Sequence, residues 1–278
     1  MELSWLESLI YGFISGLAEF LPISSQAHRA FFLRLVGAEE APALRLAVHV
    51  GALLAVMVSC APMLSKLRRE HKIASLPKKR RKRQPDLKTM LDIRLLRTAL
   101  IPLLLTFLVY PLIANLQERL WLLAIFMGLN GILLYAPQFL PGANKDSQSL
   151  SALDAVLIGL SSGAGIVPGL SRVGLGMYAG MTRGAERRYT LDISFLLCIP
   201  ALIVLLLFDG WWLIAGAGGS LSFALILQCI TAAAAAFGAG YFAIFFMRFL
   251  SVKAGFSGFA YYCWGLALFM MILYLLIS

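Results

Sequence analysis

The chain has 278 residues, of which 60% are hydrophobic and 14% are charged, and its mean hydropathy is +0.83. A soluble domain usually carries about 25% charged residues, so this composition excludes an ordinary soluble protein. It predicts one bundle whose surface faces lipid. The four cysteines lie far apart inside apolar runs and are expected to be packing residues, not disulfide partners or zinc ligands.

The formal net charge is +10, and most of the positive charge lies in one stretch. Thirteen of the 24 Lys and Arg residues fall between Lys66 and Arg97, most densely over 78–83. A basic run can bind nucleic acid, because Lys and Arg make most phosphate contacts. Between two apolar segments, however, the positive-inside rule favours a cytoplasmic loop near anionic lipid. We therefore expect a cytoplasmic loop over 65–92 and no nucleic-acid partner.

The predicted elements follow from where the apolar stretches begin and end, since a spanning helix needs ~20 mostly apolar residues. Six stretches are long enough, and two are broken by glycine, proline and polar residues. In chain order they are 3–36 (broken), 42–64, 93–114, 119–138, 152–183 (broken), 188–208, 220–247 and 256–277. A broken stretch is typical of a re-entrant helix hairpin, which enters and leaves the membrane on one side. The predicted fold is all-α and integral to the membrane, with six transmembrane helices and two re-entrant hairpins.

The same order of elements occurs twice, so the sequence predicts an internal repeat within a single membrane domain. Residues 1–140 and 150–278 each contain one hairpin followed by three spans. Because three crossings separate the hairpins, the second copy is inverted in the membrane. This topology places nineteen of the 24 Lys and Arg residues on the face of the 65–92 loop, which identifies that face as cytoplasmic. Inverted repeats with broken helices also occur in secondary transporters, so transport stays open.

The first hairpin carries a carboxylate, two hydroxyls and an imidazole within ten residues, at Glu19, Ser24, Ser25 and His28. Such groups are costly at membrane depth unless they are paired or bind a ligand. Ser25 is a candidate nucleophile with His28 taking its proton, and Glu19 is a candidate ligand for a divalent metal ion. The alternative is a buried polar network without a ligand. His49, a lone histidine in a later span, is expected to have a structural role.

The second hairpin carries one charge, Arg172, beside Ser171 and several glycines. Arginine suits phosphate because its planar guanidinium makes two parallel hydrogen bonds. Glycines let backbone N–H groups approach an anion, and a helix that begins after the loop directs its positive end there. The two hairpins together predict a phosphoryl site. The residues expected to bind the substrate phosphate are Ser24, Gly169, Ser171, Arg172 and Gly174.

At these positions the sequence resembles the undecaprenyl pyrophosphate phosphatase family (BacA/UppP-type, bacitracin resistance). Four stretches carry the resemblance, in the same order along the chain. They are Glu-Phe-Leu-Pro-Ile-Ser-Ser at 19–25 with His28, His-Val-Gly-Ala-Leu-Leu-Ala-Val at 49–56, Pro-Gly-Leu-Ser-Arg at 168–172 with Gly174, and Ser-Phe-Leu-Leu-Cys-Ile-Pro at 194–200. The first and third stretches are specific, and the match extends over nearly the whole chain.

The resemblance implies a metal-dependent phosphatase of the cell inner (plasma) membrane. Such an enzyme converts undecaprenyl (polyprenyl) diphosphate to the monophosphate and inorganic phosphate, which recycles the lipid carrier for cell-wall glycan synthesis. It implies site roles for Glu19, Ser25, His28, Ser171 and Arg172, with a divalent ion, Mg²⁺ or Ca²⁺, at Glu19. The expected partners are this lipid and the bilayer, and a homodimer is left open.

Several positions depart from the family's pattern. Ser15 replaces an acidic residue that would serve as a metal ligand or base, and Val173 and Gly176 replace hydroxyl residues that would contact phosphate. Further departures are Gln26-Ala27 in place of threonine-glycine, Ser162 in place of glutamine and Leu175 in place of alanine. These departures favour, as an alternative, a polyprenyl-phosphate flippase that binds the lipid phosphate without cleaving it. A small-solute transporter is a weaker alternative, because Glu19 is the only acidic residue expected within the membrane.

Overall fold

The computed structural model describes residues 3–139, 145–146, 148–215, 222–253 and 256–277. Over these ranges the chain is helical apart from turns and one isolated bridge between Lys145 and Ala185. The α-helices are α1 (Trp5–Phe20), α2 (Ser25–Val36), α3 (Pro42–Ser75), α4 (Leu87–Thr106), α5 (Tyr110–Ile113), α6 (Leu120–Tyr135), α7 (Ala152–Ala164), α8 (Arg172–Thr182), α9 (Arg187–Ala215), α10 (Phe223–Lys253) and α11 (Ser257–Ile277).

Within these described ranges, six helices are long and apolar enough to cross a membrane. They are Pro42–Ser75, Leu87–Glu118, Leu120–Phe139, Arg187–Ala215, Phe223–Ser251 and Ser257–Leu276. Each coincides with one predicted span, so the prediction of an all-α, multi-pass membrane protein is confirmed. Large apolar side chains such as Leu112, Leu207 and Phe223 are exposed on the surface of the bundle, as lipid contact requires. The four cysteines are free, and Cys60, Cys198 and Cys263 are buried.

The basic loop is shorter than the sequence predicted. Helix α3 continues through residues 65–75, and α4 begins at Leu87, so only 76–86 lies between the two helices. Both helices therefore extend into the segment 65–92 that was predicted to lie between the spans. The reason is that bilayer thickness limits the apolar stretch but not the helix, and Lys, Arg and Glu are good helix formers beyond the membrane.

A buried carboxylate at the end of α3 anchors this basic loop. Glu70 is 1% exposed and accepts two hydrogen bonds from the Arg83 guanidinium, at 2.5 and 2.9 Å. It also accepts the backbone N–H of Asp86 at 3.0 Å. Arg81 donates to the carbonyl of Ala74 in the last turn of α3 at 2.5 Å and to that of Leu76, which follows the helix, at 2.8 Å. Two of the basic side chains therefore have a structural role in the connection between α3 and α4.

Two short helices pack closely on spanning helices through paired glycines. In α1, a Cβ atom at Gly12 or Gly16 would lie 2.3 or 2.1 Å from a carbonyl oxygen of α10. In α7, a Cβ atom at Gly159 would lie 2.0 Å from a carbonyl oxygen of α4, and one at Gly163 would lie 2.3 Å from Thr106 Oγ1. Both pairs have the Gly-x-x-x-Gly spacing that lets helix backbones approach within a membrane.

Candidate active site

Two helix pairs, α1–α2 and α7–α8, are each interrupted by a short break, and a serine caps the helix that follows. The Ser24 hydroxyl accepts the N–H of Ala27 at 3.4 Å, and the Ser171 hydroxyl accepts the N–H of Gly174 at 3.2 Å. Ser24 adopts a φ of 65°, a strained value for a residue with a side chain. The positive ends of the α2 and α8 helix dipoles therefore lie at the two breaks, and they favour binding of an anion there.

The two breaks are joined by Glu19 at the end of α1, Ser25 at the start of α2 and Arg172 at the start of α8. Arg172 Nη1 donates to Glu19 Oε1 at 2.6 Å, and the Ser25 hydroxyl donates to Glu19 Oε2. All three side chains are buried. The structure thus brings three of the four predicted catalytic residues into one hydrogen-bonded group, which we call the Glu19 group.

The fourth predicted catalytic residue, His28, lies outside the Glu19 group. Its Nδ1 is 2.7 Å from the Ser24 carbonyl oxygen, and its Nε2 is 2.7 Å from the hydroxyl of Tyr262, on which the imidazole stacks. A nitrogen that faces a carbonyl carries the proton, so His28 Nε2 accepts from Tyr262. The structure therefore directs the Ser25 proton to Glu19 and holds His28 against α11.

The Glu19 group lines a small, narrow cleft. The residues that line it are Ala18, Glu19, Ser25, Gln26, His49, Gly165, Leu170, Ser171, Arg172 and Leu205. Of the residues predicted to bind phosphate, Ser171 and Arg172 are among these, whereas Ser24, Gly169 and Gly174 are not. The Arg172 Nε–H group is buried and has no hydrogen-bond partner. An unpaired donor of this kind is suited to an anionic ligand.

The two predicted glycines shape the second break from behind the cleft. Gly169 has a φ of +98°, and a Cβ atom there would lie 2.5 Å from Cβ of Phe126. Gly174 supplies the N–H that Ser171 caps, and a Cβ atom there would lie 3.2 Å from Pro22 of the first break. Gly169 is therefore required by its backbone conformation, and Gly174 lies where the two breaks approach closely.

Asn130, in the middle of α6, bonds to both breaks at once. Its Nδ2 donates to the Pro22 carbonyl at 2.9 Å, and its Oδ1 accepts the N–H of Ser171 at 2.9 Å. The side chain is 1% exposed. Asn130 was not among the predicted site residues, although an amide within an apolar span is a signal of function or specific packing. Asn130 therefore fixes the position of one break relative to the other.

Three of the departures from the family pattern have structural counterparts. The Ser15 hydroxyl is buried and donates to the carbonyl four residues earlier at 2.6 Å, and Val173 is fully buried. A Cβ atom at Gly176 would lie 2.4 Å from Ser162 Oγ and 2.7 Å from Ser194 Oγ, so a side chain there would displace these hydroxyls. None of the three positions lines the cleft.

A second buried polar cluster lies beside the cleft and forms a closed ring, which we call the His49 ring. Asp209 accepts from His49 Nδ1 at 2.5 Å and from Arg45 Nε at 2.7 Å. Arg45 Nη1 donates to Glu40 Oε2 at 3.3 Å, and Glu40 Oε1 pairs with Arg29 Nε at 3.2 Å. Arg29 Nη1 completes the ring at 3.1 Å from His49 Nε2. Two carboxylates and two guanidiniums therefore surround the imidazole.

The His49 ring contains a buried carboxylate that the sequence did not predict. Asp209 lies one position beyond the predicted span 188–208, within helix α9, and is fully buried. Its pairing with Arg45 and His49 compensates the buried charge.

The cleft offers oxygen donors that suit a divalent cation. The Glu19 carboxylate lines it, and Gln26 Oε1 is buried there with no hydrogen-bond partner. Mg²⁺ and Ca²⁺ take oxygen ligands, and Mg²⁺ is often held by one or two carboxylates together with substrate phosphates. The described part of the chain contains no group of three or more His, Cys, Asp or Glu that could hold a metal. The donors present therefore fit an ion that also binds a phosphate.

Six spanning helices with a buried carboxylate, hydroxyl and guanidinium at two helix breaks define a multi-pass membrane protein with an internal site suited to an anion. The family model described as bacitracin resistance protein BacA matches residues 8–269, so this chain belongs to that family.

Curated relatives match over nearly the full length. An undecaprenyl-diphosphatase from Methanobrevibacter smithii is 30% identical, covering 95% of this chain and 96% of its own. An undecaprenyl-diphosphatase from Carboxydothermus hydrogenoformans is 28% identical, covering 96% of each chain. Undecaprenyl-diphosphatase 3 from Bacillus cereus is 29% identical, covering 98% of each chain.

Proposed function

We propose that this protein is a membrane phosphatase that hydrolyses undecaprenyl or a related polyprenyl diphosphate to the monophosphate and inorganic phosphate. This reaction returns the lipid carrier to cell-wall glycan synthesis. The observation that carries the proposal is the Glu19 group, in which a serine hydroxyl, its proton acceptor and a guanidinium converge at two helix N-termini. The names of the full-length relatives support the substrate class.

In the proposed mechanism, Ser25 Oγ attacks the terminal phosphorus and its proton passes to Glu19 Oε2, with which it is already hydrogen-bonded. The bond from that phosphorus to the bridging oxygen breaks, and the lipid monophosphate leaves with the electron pair. The unpaired Nε–H of Arg172 and the N-terminal N–H groups of α2 and α8 hold the phosphate oxygens. Water then hydrolyses the phosphoserine and releases inorganic phosphate.

We further propose a divalent metal ion, Mg²⁺ or Ca²⁺, held by Glu19 and by the unpaired Oε1 of Gln26. When bound, such an ion neutralises phosphate charge and polarises the phosphoryl group. Chelation is expected to stop phosphate release, and addition of either ion is expected to restore it. Full activity after exhaustive chelation would exclude this part of the proposal.

We infer that α1–α2 and α7–α8 are re-entrant hairpins of an inverted repeat. The matched glycine packing supports this, because the first helix of each pair packs on the second spanning helix of the other half, α1 on α10 and α7 on α4. With the basic loop in the cytoplasm, this topology opens the site to the outer face of the plasma membrane. The test is labelling of single cysteines at residues 38 and 80 in sealed cells, with reaction expected only at residue 38.

The proposed activity is tested on purified protein with a polyprenyl diphosphate and Mg²⁺, by measuring inorganic phosphate. Release is expected from the wild type and not from Glu19→Gln or Ser25→Ala. Glu39→Gln, which alters an exposed carboxylate, is the matched control and is expected to keep full activity. Lipid exchange between leaflets without phosphate release would contradict the phosphatase and favour a flippase.

A further inference from the structure

His49 is the member of the His49 ring that reaches the cleft, where it lies among the lining residues with Ser25 and Arg172. Its imidazole is held from both sides, by Asp209 at Nδ1 and by Arg29 at Nε2. A guanidinium has only donors, so Nε2 must be the acceptor. The proton of the neutral imidazole is therefore on Nδ1, and the lone pair is on Nε2.

Asp209 is placed to keep this tautomer. Its Oδ2 is 2.5 Å from His49 Nδ1, and its Oδ1 is fixed by Arg45 Nε at 2.7 Å. The carboxylate is fully buried, so it cannot exchange these partners for water. A buried carboxylate behind Nδ1 orients an imidazole and stabilises the imidazolium that forms when Nε2 takes a proton. The pair has the chemistry of an acid–base histidine with its orienting acid.

Arg29 donates to His49 Nε2, so proton transfer to this nitrogen requires that hydrogen bond to open. Arg29 is buried and is not among the residues that line the cleft. An anionic oxygen is a stronger acceptor for a guanidinium than a neutral imidazole nitrogen is, so a phosphate oxygen that approaches His49 competes for the Nη1 donor. When the bond opens, the ion pair with Glu40 at 3.2 Å still holds Arg29.

We propose that His49 is a second proton acceptor of this site and that it activates the water that hydrolyses phosphorylated Ser25. This inference rests on the proposed function. The water oxygen bonds to phosphorus, the bond from phosphorus to Ser25 Oγ breaks, and the water proton passes to His49 Nε2. Ser25 Oγ recovers a proton from Glu19, which took one in the first step. Asp209 acts through His49 and is a positioning residue.

The decisive variant is His49→Gln. A glutamine amide can donate to Asp209 and accept from Arg29, so it can form hydrogen bonds of the same direction with both partners. It cannot accept a proton from water. One lipid monophosphate per enzyme is expected to form rapidly, followed by phosphate release slowed by about 10²-fold or more. Phosphoserine at Ser25 is expected to accumulate and to be detected by mass spectrometry of the trapped protein. Asp209→Asn, which keeps the side-chain size, is expected to act in the same direction.

The outcomes distinguish a proton-accepting role of His49 from a structural one. Unchanged phosphate release in His49→Gln would overturn the inference. Slow release without phosphoserine, in both His49→Gln and Asp209→Asn, would also overturn it, because the loss would then lie in binding or folding. His71→Gln, which alters a histidine that pairs with Arg97 away from the site, is the matched control and is expected to behave as wild type. If the wild type itself releases no phosphate, the proposed function fails, and this result is distinct from a failure of the role of His49 alone.

Discussion

Arg172 Nη1 lies 2.6 Å from Glu19 Oε1, and this contact joins two residues that are 153 positions apart in the chain. Each side chain is only 5% exposed. Removing one partner from a buried ion pair typically costs about 3–5 kcal/mol, because the other charge is left uncompensated. The same contact therefore holds the two helix breaks together and sets the guanidinium beside the Ser25 hydroxyl.

Arg172→Lys tests whether the site needs the planar guanidinium of Arg172 or only its positive charge. Lysine keeps the positive charge beside Glu19 but loses the planar fork and the Nε–H donor. We expect phosphate release to fall by about 10²-fold or more, since one oxyanion donor is typically worth that much. Thermal unfolding in detergent should change little. Wild-type rates in this variant would show that charge alone suffices at this position.

Asn130→Leu tests the contact between the breaks. Leucine has a similar volume, but it leaves the Pro22 carbonyl and the Ser171 N–H without partners, at about 1–3 kcal/mol for each buried group. We expect a lower unfolding temperature and a loss of phosphate release. Asn130→Asp keeps the acceptor for Ser171 but places a carboxylate oxygen against the Pro22 carbonyl in a buried site, so a loss is expected there too. Equal behaviour of both variants and wild type would show that the breaks are positioned without this side chain.

Gly16→Ala tests the packing of α1 on α10. The added Cβ atom would lie 2.1 Å from the Ala236 carbonyl oxygen, so the helices must move apart. We expect destabilisation of about 1–3 kcal/mol, as for other overpacked sites, measured by thermal unfolding. Gly238→Ala on α10 is the matched control, because nothing lies within 4 Å of its added Cβ. This control should be neutral or slightly stabilising, since alanine favours helix; comparable destabilisation in both variants would contradict the packing argument.

Glu70→Gln tests the anchor of the basic loop. The variant keeps the side-chain size but removes the charge that holds the Arg83 guanidinium at 2.5 and 2.9 Å. We expect faster trypsin cleavage within 78–83, measured on the purified protein. Phosphate release should be unchanged, since this loop does not line the cleft. Equal cleavage rates in variant and wild type would mean that the loop is ordered by other contacts.

The six spans could be predicted from the sequence because an apolar run of sufficient length has one stable environment, the bilayer. The apolar runs also made the site residues Glu19, Ser25 and Arg172 visible. Polar groups within such runs are costly unless they are paired or bind a ligand. The bounds of α3 could not be predicted, because helix formation does not stop where the membrane ends.

The partners of the polar groups could not be predicted, because they depend on tertiary contacts. Nothing local showed that the Ser25 proton faces Glu19 while His28 faces Tyr262. The bond from Asn130 to Ser171 spans 41 positions, and that from His49 to Asp209 spans 160. Such pairs have no periodic signal in one sequence. For the same reason, the sequence did not indicate which residues would contact His49.

The most direct test of the central claim is phosphate release by the wild type and by Ser25→Ala, each reconstituted with a polyprenyl diphosphate and a divalent ion. Both inorganic phosphate and lipid monophosphate are measured in the same sample. We predict that the wild type forms the two products in equal amounts and that Ser25→Ala forms neither, while it remains as stable as the wild type. Equal rates of phosphate release from both proteins would contradict the assignment of Ser25 and the Glu19 group as the site of phosphoryl transfer.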